Sequence, residues 1–309
     1  MLLYLPIAEW PVEMFAIFGL GAAVGFVSGM FGVGGGFLLT PLLVFAGISP
    51  AVAVATVSAQ VVASSTSGAL AYWRRGAIDW KLATYLLTAG MAGSGVGVWV
   101  FAALRRFGQL DLVIALCYVV FLGSVGAFMV GESLRALWSA HRGEVVPPRR
   151  PSPTGWLRTL PLQVAFPRSR LEISAVPVIA LGLGIGFLGT LLGIGGGFLI
   201  VPALIYLLRV PSNLVVGTSL VQMVATMAFA TFLQAAANQT VDLVLGLLLM
   251  VGGVIGAQFG AEVGRRLRGE HLRALLGLLI LAVGARFAVE LVVPPAEVYT
   301  ISRVVGGAP

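Results

Sequence analysis

The sequence predicts an all-α polytopic membrane protein made of two inverted-topology repeats, each a glycine-broken helical hairpin followed by three transmembrane helices. The composition, a duplicated glycine motif and the placement of the arginines support this fold class. Of the 309 residues, 59% are hydrophobic and only 10% are charged, and the mean hydropathy is +1.01. Since a soluble domain carries about a quarter charged residues, the chain is predicted to lie in a lipid bilayer.

A glycine motif occurs once in each half of the chain. Gly32 to Phe37 reads Gly-Val-Gly-Gly-Gly-Phe, and Gly193 to Phe198 reads Gly-Ile-Gly-Gly-Gly-Phe. The likeness extends beyond the motif to further matched pairs, which include Gly25 and Gly186, Pro41 and Pro202, Thr56 and Thr218, Gln60 and Gln222, Asp79 and Asp242, and Gly90 and Gly253. Duplicated membrane halves with interrupted helices are typical of transporters, which bind their substrate where the interruptions meet.

Each half contains five apolar segments. They lie at about 14–31, 36–48, 51–72, 82–103 and 110–130, and at about 176–192, 197–208, 213–236, 241–263 and 272–293. A helix of about 20 residues spans a hydrocarbon core of ~30 Å. The second segment of each half has only about a dozen residues, so it is predicted to fold back with the first segment as a hairpin or broken helix around the glycine motif.

The arginines predict the orientation of the chain in the membrane. Residues 131–175 hold seven arginines, and the positive-inside rule places this stretch in the cytoplasm. Counting the segments outward then puts both termini outside and gives each half an odd number of crossings, so the halves are inverted relative to each other. The predicted division is a first repeat over 1–130, a cytoplasmic Arg/Pro-rich linker over 131–175 and a second repeat over 176–309.

Much of the net charge of +7 comes from this linker and from the positive-inside pattern, so it does not indicate nucleic-acid binding. Residues 144–153 of the linker are too proline-rich to hold a helix. The linker joins the two halves or has a regulatory, partner-binding role. The N-terminus lacks a basic leader, so no removable signal peptide is expected.

The two glycine motifs are candidate binding elements. Each precedes a short helix, whose N-terminus offers unpaired backbone N–H groups and a partial positive charge suited to an anion. Glycine also permits φ > 0 and lets a ligand reach the main chain. The alternative is that the glycines only allow helices to cross closely. The candidate binding residues are Gly34, Gly35, Gly36, Gly195, Gly196 and Gly197.

A polar stripe follows each motif. Thr56 and Gln60 share one helical face with Ser64 and Ser67, and Thr218, Gln222 and Thr226 repeat the first three positions in the second half. A glutamine within a membrane helix needs polar partners. The stripe therefore supplies hydrogen bonds either to a polar substrate in a central cavity or between helices; Ser58, Ser65 and Ser219 lie off the stripe and are predicted to serve packing.

The ionisable residues indicate no catalytic chemistry. Asp79 and Asp242 precede matched helices and are predicted to cap their N-termini. Arg286 and Glu290 are predicted to pair near the membrane interface. The single cysteine, Cys117, excludes an intramolecular disulfide. No metal-ligand cluster and no Ser–His–Asp arrangement occurs, so the sequence predicts no enzyme activity, no metal and no cofactor.

The paired glycine turns, the trailing prolines and the Thr-x-x-x-Gln stretches resemble the sulfite exporter TauE/SafE family. The resemblance implies a secondary transporter of small sulfur-containing oxyanions, sulfite or organosulfonates, in the bacterial inner membrane. Carried over to matching positions, the family's hallmark turns are Gly32 to Gly36 and Gly193 to Gly197, and the polar residues that follow them are Thr56, Gln60, Thr218 and Gln222. A homodimer is possible, and no nucleic-acid partner is expected. A passive anion channel and a non-transporting membrane assembly subunit are the alternatives.

Overall fold

The computed structural model describes residues 2–8, 10–31, 34–141, 161–169, 171–266 and 269–292. In this part of the chain the first half forms α1 (Met14–Phe31), α2 (Gly36–Phe45), α3 (Pro50–Arg74), α4 (Trp80–Arg106) and α5 (Leu110–His141). The second half forms α6 (Ala175–Leu192), α7 (Gly197–Pro202), α8 (Ser212–Leu233), α9 (Leu243–Arg266) and α10 (Gly269–Val292). Two short π-helical segments extend α7 and α8, over Ala203–Leu207 and Gln234–Asn238.

The helix prediction is confirmed, since each of the ten apolar segments forms a helix and the second helix of each half is short. Five helices in the described part of the chain are long and apolar enough to cross a membrane, judged by length and composition. Large apolar side chains such as Trp99, Phe232 and Phe259 are exposed, which suits a surface that faces lipid. The chain is a polytopic membrane protein.

Two short β-hairpins correct the prediction of an all-α chain. Strand β1 (Leu2–Leu5) pairs antiparallel with β2 (Trp10–Glu13), and β3 (Gln163–Phe166) pairs antiparallel with β4 (Leu171–Ser174). Runs of four residues are too short for hydrophobic alternation to distinguish a strand from other structure. Each hairpin directly precedes the first helix of its half, so the hairpins extend the internal repeat to elements with no evident sequence similarity.

Helix α5 extends beyond its predicted end near residue 130 and continues to His141. The apolar run ends there, but Glu132, Leu134 and Arg135 are good helix formers, so the backbone continues as a helix after the hydrophobic signal stops. The proline-rich stretch 144–153 of the predicted linker lies outside the described residues.

Helices from opposite halves pack against each other in matched pairs. Helix α1 packs on α9 and α6 packs on α4, while α3 packs on α8 and α5 packs on α10. The first two contacts are equivalent, because each joins the first helix of one half to the fourth helix of the other half. Both depend on glycine: a methyl group on Gly25 would lie 2.2 Å from the carbonyl oxygen of Gly253, and one on Gly186 would lie 2.1 Å from that of Gly90.

The directions of the paired helices follow from the same close contacts. Equivalent helices α5 and α10 pack antiparallel, since Gly126 contacts Leu281 whereas Gly284, later in α10, contacts Leu122, earlier in α5. Helices α3 and α8 also pack antiparallel, as shown by two contacts in opposite order: Gly68 with Leu220, and Gly217 with Tyr72. In both of these pairs, equivalent helices of the two halves therefore run in opposite directions.

Candidate functional site

The first glycine turn connects α1 to α2. Gly34 has φ +80°, a left-handed conformation that glycine adopts without the steric penalty a side chain would bring. Helix α2 then begins at Gly36, and the carbonyl oxygen of Gly35 accepts the N–H groups of Leu38 and Leu39 at 3.2 and 3.1 Å. Gly32 and Val33, at the start of the predicted motif, lie outside the described residues.

The second turn has the same plan with one difference. Helix α6 ends at a left-handed Gly193 (φ +68°), Gly195 has φ +75° and Gly196 has φ +77°. The equivalent of Gly196 in the first half, Gly35, instead has φ −72°. The two turns therefore share the left-handed residue in the middle of the motif and differ at the residue that immediately precedes the short helix.

The structure brings the two glycine turns into contact. A methyl group on Gly36 would lie 2.6 Å from the carbonyl oxygen of Gly193 and 2.9 Å from that of Ile194, so only glycine permits this approach. The equivalent phenylalanines Phe37 and Phe198 stack with ring centroids 5.1 Å apart and planes 15° apart. The backbone of one half thus lies directly against the equivalent backbone of the other.

The turns lie within the length of the bundle and not at its end. Near the last turn of α1, Gly29 packs against Ala257, nine residues before α9 ends at Arg266. In the second half, Phe187 of α6 packs against Gly97, also nine residues before α4 ends at Arg106. Nine residues correspond to roughly 13 Å of helix. In each half, the first helix therefore ends at a depth in the bundle where the helix packed against it continues.

The two threonines of the polar stripe bind backbone groups of the other half. The Thr56 hydroxyl oxygen accepts the N–H of Asp242 at 3.1 Å, and the Thr218 hydroxyl oxygen accepts the N–H of Asp79 at 3.1 Å. Both threonines are fully buried. Each hydroxyl therefore joins α3 or α8 to the start of the fourth helix of the opposite half.

Asp79 and Asp242 cap their helices, as predicted. The Asp79 carboxylate accepts the Leu82 N–H at 3.2 Å, and the Asp242 carboxylate accepts the N–H groups of Val244 and Leu245 at 3.1 and 3.0 Å. These contacts satisfy N–H groups that lack partners within the helix.

The second oxygen of each carboxylate accepts hydrogen bonds from the turn of the β-hairpin that precedes the first helix of the other half. Asp79 accepts both the N–H and the hydroxyl of Ser169, at 3.0 and 2.6 Å. Asp242 accepts the N–H groups of Ile7 and Ala8 at 3.1 and 3.4 Å. Sequence reasoning missed this cross-connection; the pairing of Asp79 with Asp242 in the repeat was the available signal, but neither hairpin had been predicted.

Gln60 and Gln222 are buried, each with 1% of its surface exposed. Their amide nitrogens face equivalent glycines: a methyl group on Gly253 would lie 2.6 Å from the amide nitrogen of Gln60, and one on Gly90 would lie 2.8 Å from that of Gln222. The Gln222 amide donates to the Thr226 hydroxyl at 3.0 Å. Within the described part of the chain, neither glutamine side-chain oxygen has a hydrogen-bond partner.

The other hydroxyl groups differ in their partners. Ser58 and Ser219, predicted to serve packing, donate to carbonyl oxygens of their own helices at 2.9 Å each, and Ser64 does the same at 3.2 Å. Ser67 is exposed. Ser65 is buried, and its hydroxyl has no hydrogen-bond partner among the described residues. Within the stripe, the two glutamines are therefore the residues whose side chains can still form a further hydrogen bond.

Charged groups contribute little to this region. The Arg286 guanidinium lies over the Phe45 ring, 4.8 Å from its centroid, and the side chain of Glu290, its predicted partner, lies outside the described part. Among the described residues no group of three or more His, Cys, Asp or Glu side chains could hold a metal ion. The polar groups of the candidate site are therefore neutral amides, hydroxyls and backbone groups.

The sequence profile described as Sulfite exporter TauE/SafE matches residues 17–287. The chain belongs to the sulfite exporter TauE/SafE family. The resemblance inferred from the glycine turns is thus confirmed, and this family member is a membrane transporter and not an enzyme.

Relatives in distant organisms carry similar descriptions. A probable membrane transporter protein of Xylella fastidiosa is 30% identical over 269 residues, covering 86% of this chain and 91% of the relative. The probable membrane transporter protein YjnA of Bacillus subtilis is 27% identical over 270 residues, covering 86% and 96%. In Arabidopsis thaliana, Sulfite exporter TauE/SafE family protein 2 is 34% identical over 102 residues, covering 33% of this chain and 22% of the relative. No solved structure matches the chain significantly.

Proposed function

We propose that this family member is a secondary transporter that carries small sulfur-containing oxyanions, such as sulfite or organosulfonates, across the inner membrane of a bacterium. Its substrate class follows the family name, and the candidate site is compatible with it. The anion is held near the membrane midplane, between the two glycine turns and the glutamines that flank them.

One observation carries this assignment: two equivalent buried amides, Gln60 and Gln222, retain unused hydrogen-bonding capacity beside the region where two interrupted helices meet. A buried polar atom without a partner costs free energy, so a pair of them at symmetric positions favours a ligand that completes the bonding. An amide provides both donors and an acceptor. The unpartnered atom of each glutamine is the carbonyl oxygen, an acceptor, which the hydroxyl of a protonated oxyanion such as bisulfite completes. A sulfonate oxygen accepts instead from an amide N–H.

The two amides define equivalent half-sites on either side of the contacting turns. Gln60 faces α9 and Gln222 faces α4, so an anion that approaches from either side of the membrane meets the same chemistry. Thr56 and Thr218 position these half-sites, because each lies four residues before a glutamine and bonds to the helix that the glutamine faces. Among the described side chains no Lys or Arg is buried, so the anion is bound weakly enough to leave.

An inverted topology explains the antiparallel packing of equivalent helices. We place residues 131–175 in the cytoplasm and both termini outside, with residues 1–130 and 176–309 as the two repeats. Basic residues gather at the linker end of the bundle: the Arg168 guanidinium donates to carbonyl oxygens of Gly76 and Ile78 at 3.0 and 2.9 Å, and Lys81 donates to that of Ala165 at 2.8 Å. Their clustering supports a cytoplasmic location for this end.

The filled centre of the bundle favours a carrier over an open channel. Phe37 and Phe198 stack, and the backbones of the two turns lie in direct contact, so the halves are closely packed where the turns meet. Passage therefore requires a conformational change, as expected for alternating access in duplicated transporters. A homodimer is compatible with this arrangement.

The test is uptake of radiolabelled sulfite by proteoliposomes that contain the purified protein, measured as counterflow and with and without a proton gradient. We expect saturable flux in the wild type and none in Gly36→Ala, because the added methyl group would meet the carbonyl oxygen of Gly193 at 2.6 Å. Gly184→Ala is the matched control, since a methyl group there meets nothing within 4 Å. Absence of wild-type flux for both sulfite and organosulfonates would refute the substrate class.

A further inference from the structure

An apolar side chain from α8 occupies the space between the two glycine turns. The terminal methyl group of Met223 would lie 2.7 Å from a methyl group placed on Gly34 and 3.3 Å from one placed on Gly195. These glycines are equivalent positions of the two motifs. Met223 is 1% exposed, so its thioether side chain is enclosed where the two halves meet.

The equivalent residue in the first half is Val61. Just as Met223 follows Gln222, Val61 follows Gln60. A methyl group placed on Gly195 would lie 2.6 Å from a Val61 methyl carbon, and one placed on Gly36 would lie 2.8 Å from the other. Both turns are therefore packed by the residue that follows the glutamine in α3 or α8.

The two equivalent residues differ in stiffness. Methionine is unbranched and has three rotatable side-chain bonds, so it can withdraw without movement of the backbone. Valine is β-branched and is held near one χ1 rotamer in a helix. Of these two equivalent side chains, Met223 is the one that can rotate away from Gly34 and Gly195.

We propose that Met223 is a specificity-determining residue that limits the size of the anion that can pass between the glycine turns. Val61 forms the opposite, stiffer wall of the same constriction. This inference rests on the proposed transport of sulfur oxyanions and adds the residue that selects among them. When Met223 withdraws, the space it leaves accommodates the substituent of a sulfonate whose charged head lies beside a glutamine half-site.

The experiment compares the flux of alkanesulfonates of one charge and increasing chain length, from methanesulfonate to butanesulfonate, in proteoliposomes. We expect Met223→Ala to raise the ratio of butanesulfonate to methanesulfonate flux by roughly tenfold. Met223→Val should raise it less, because valine removes the end of the side chain but retains apolar filling. Met227→Ala is the matched control: Met227 lies one helical turn further along α8, is equally buried at 1% exposed and contacts Gly189 of α6.

The outcomes separate this inference from the proposed function. Wild-type flux of methanesulfonate or sulfite with an unchanged ratio in both Met223 variants would overturn the role of Met223 and leave the transport function standing. An equal rise in Met227→Ala would also overturn it, because general loosening of α8 would then explain the effect. Absence of flux for every anion in the wild type would refute the function and this inference with it.

Discussion

The contact between α4 and α6 predicts that two neighbouring glycines of α6 respond in opposite ways to the same substitution. In Gly186→Ala the new methyl group would lie 2.1 Å from the carbonyl oxygen of Gly90 and 2.8 Å from its carbonyl carbon. Nonbonded heavy atoms pack at about 3.5–4.0 Å. The two helices must therefore separate by roughly 1.5 Å, or the backbone must distort by a similar amount.

The expected change in the free energy of unfolding combines two effects, overpacking and helix propensity. Overpacking of this kind costs about 1–3 kcal/mol, whereas replacing glycine by alanine within a helix contributes about 1 kcal/mol of stabilisation. For Gly184→Ala only the second effect applies, because nothing lies within 4 Å of the added methyl group. We expect Gly186→Ala to be less stable than Gly184→Ala by roughly 1–3 kcal/mol, since the propensity gain is common to both.

The assay is the free energy of unfolding in mixed detergent micelles, measured by titration with a denaturing detergent and followed by circular dichroism. The matched contact between α1 and α9 supplies an internal replicate. Gly25→Ala should have an effect similar to Gly186→Ala, because its methyl group would lie 2.2 Å from the carbonyl oxygen of Gly253. Equal unfolding free energies for Gly186→Ala and Gly184→Ala would refute the view that direct backbone contact holds α4 and α6 together.

Two further predictions concern the hydrogen-bonded residues. Asp242→Ala should lower the free energy of unfolding by about 2 kcal/mol, since it removes a helix cap and the acceptor of the hydrogen bonds from the turn of the first hairpin. The control is Asp111→Ala, at the exposed start of α5. Equal losses of stability in the two variants would contradict the prediction. Gln222→Leu should raise the KM for sulfite roughly tenfold, the effect of losing about 1.4 kcal/mol of hydrogen bonding. Ser58→Ala should leave the KM unchanged because Ser58 donates a hydrogen bond within its own helix. A similar KM in the wild type, Gln222→Leu and Ser58→Ala would show that Gln222 does not bind the substrate.

The elements that follow from composition and local pattern were predictable. Apolar runs show where helices form, because a membrane helix must bury every backbone polar group within itself. The duplicated glycines indicated where α1 and α6 break, since left-handed backbone at Gly34 and Gly195 favours glycine. The capping role of Asp79 and Asp242 followed from their position directly before a helix.

Helix pairing and the partners of individual side chains depended on the tertiary structure. The four-residue strands carry too weak a pattern to be recognised alone, and the hydrogen bonds from their turns to Asp79 and Asp242 join residues 90 or more positions apart. The same holds for Thr56, whose hydroxyl bonds to a residue 186 positions away, and for Met223, which contacts both turns. The amino-acid sequence by itself determined which segments form apolar helices and where they break, because these properties are local. Only the packed bundle decided which threonines, glutamines and methionines meet which backbone, because those contacts arise between distant segments.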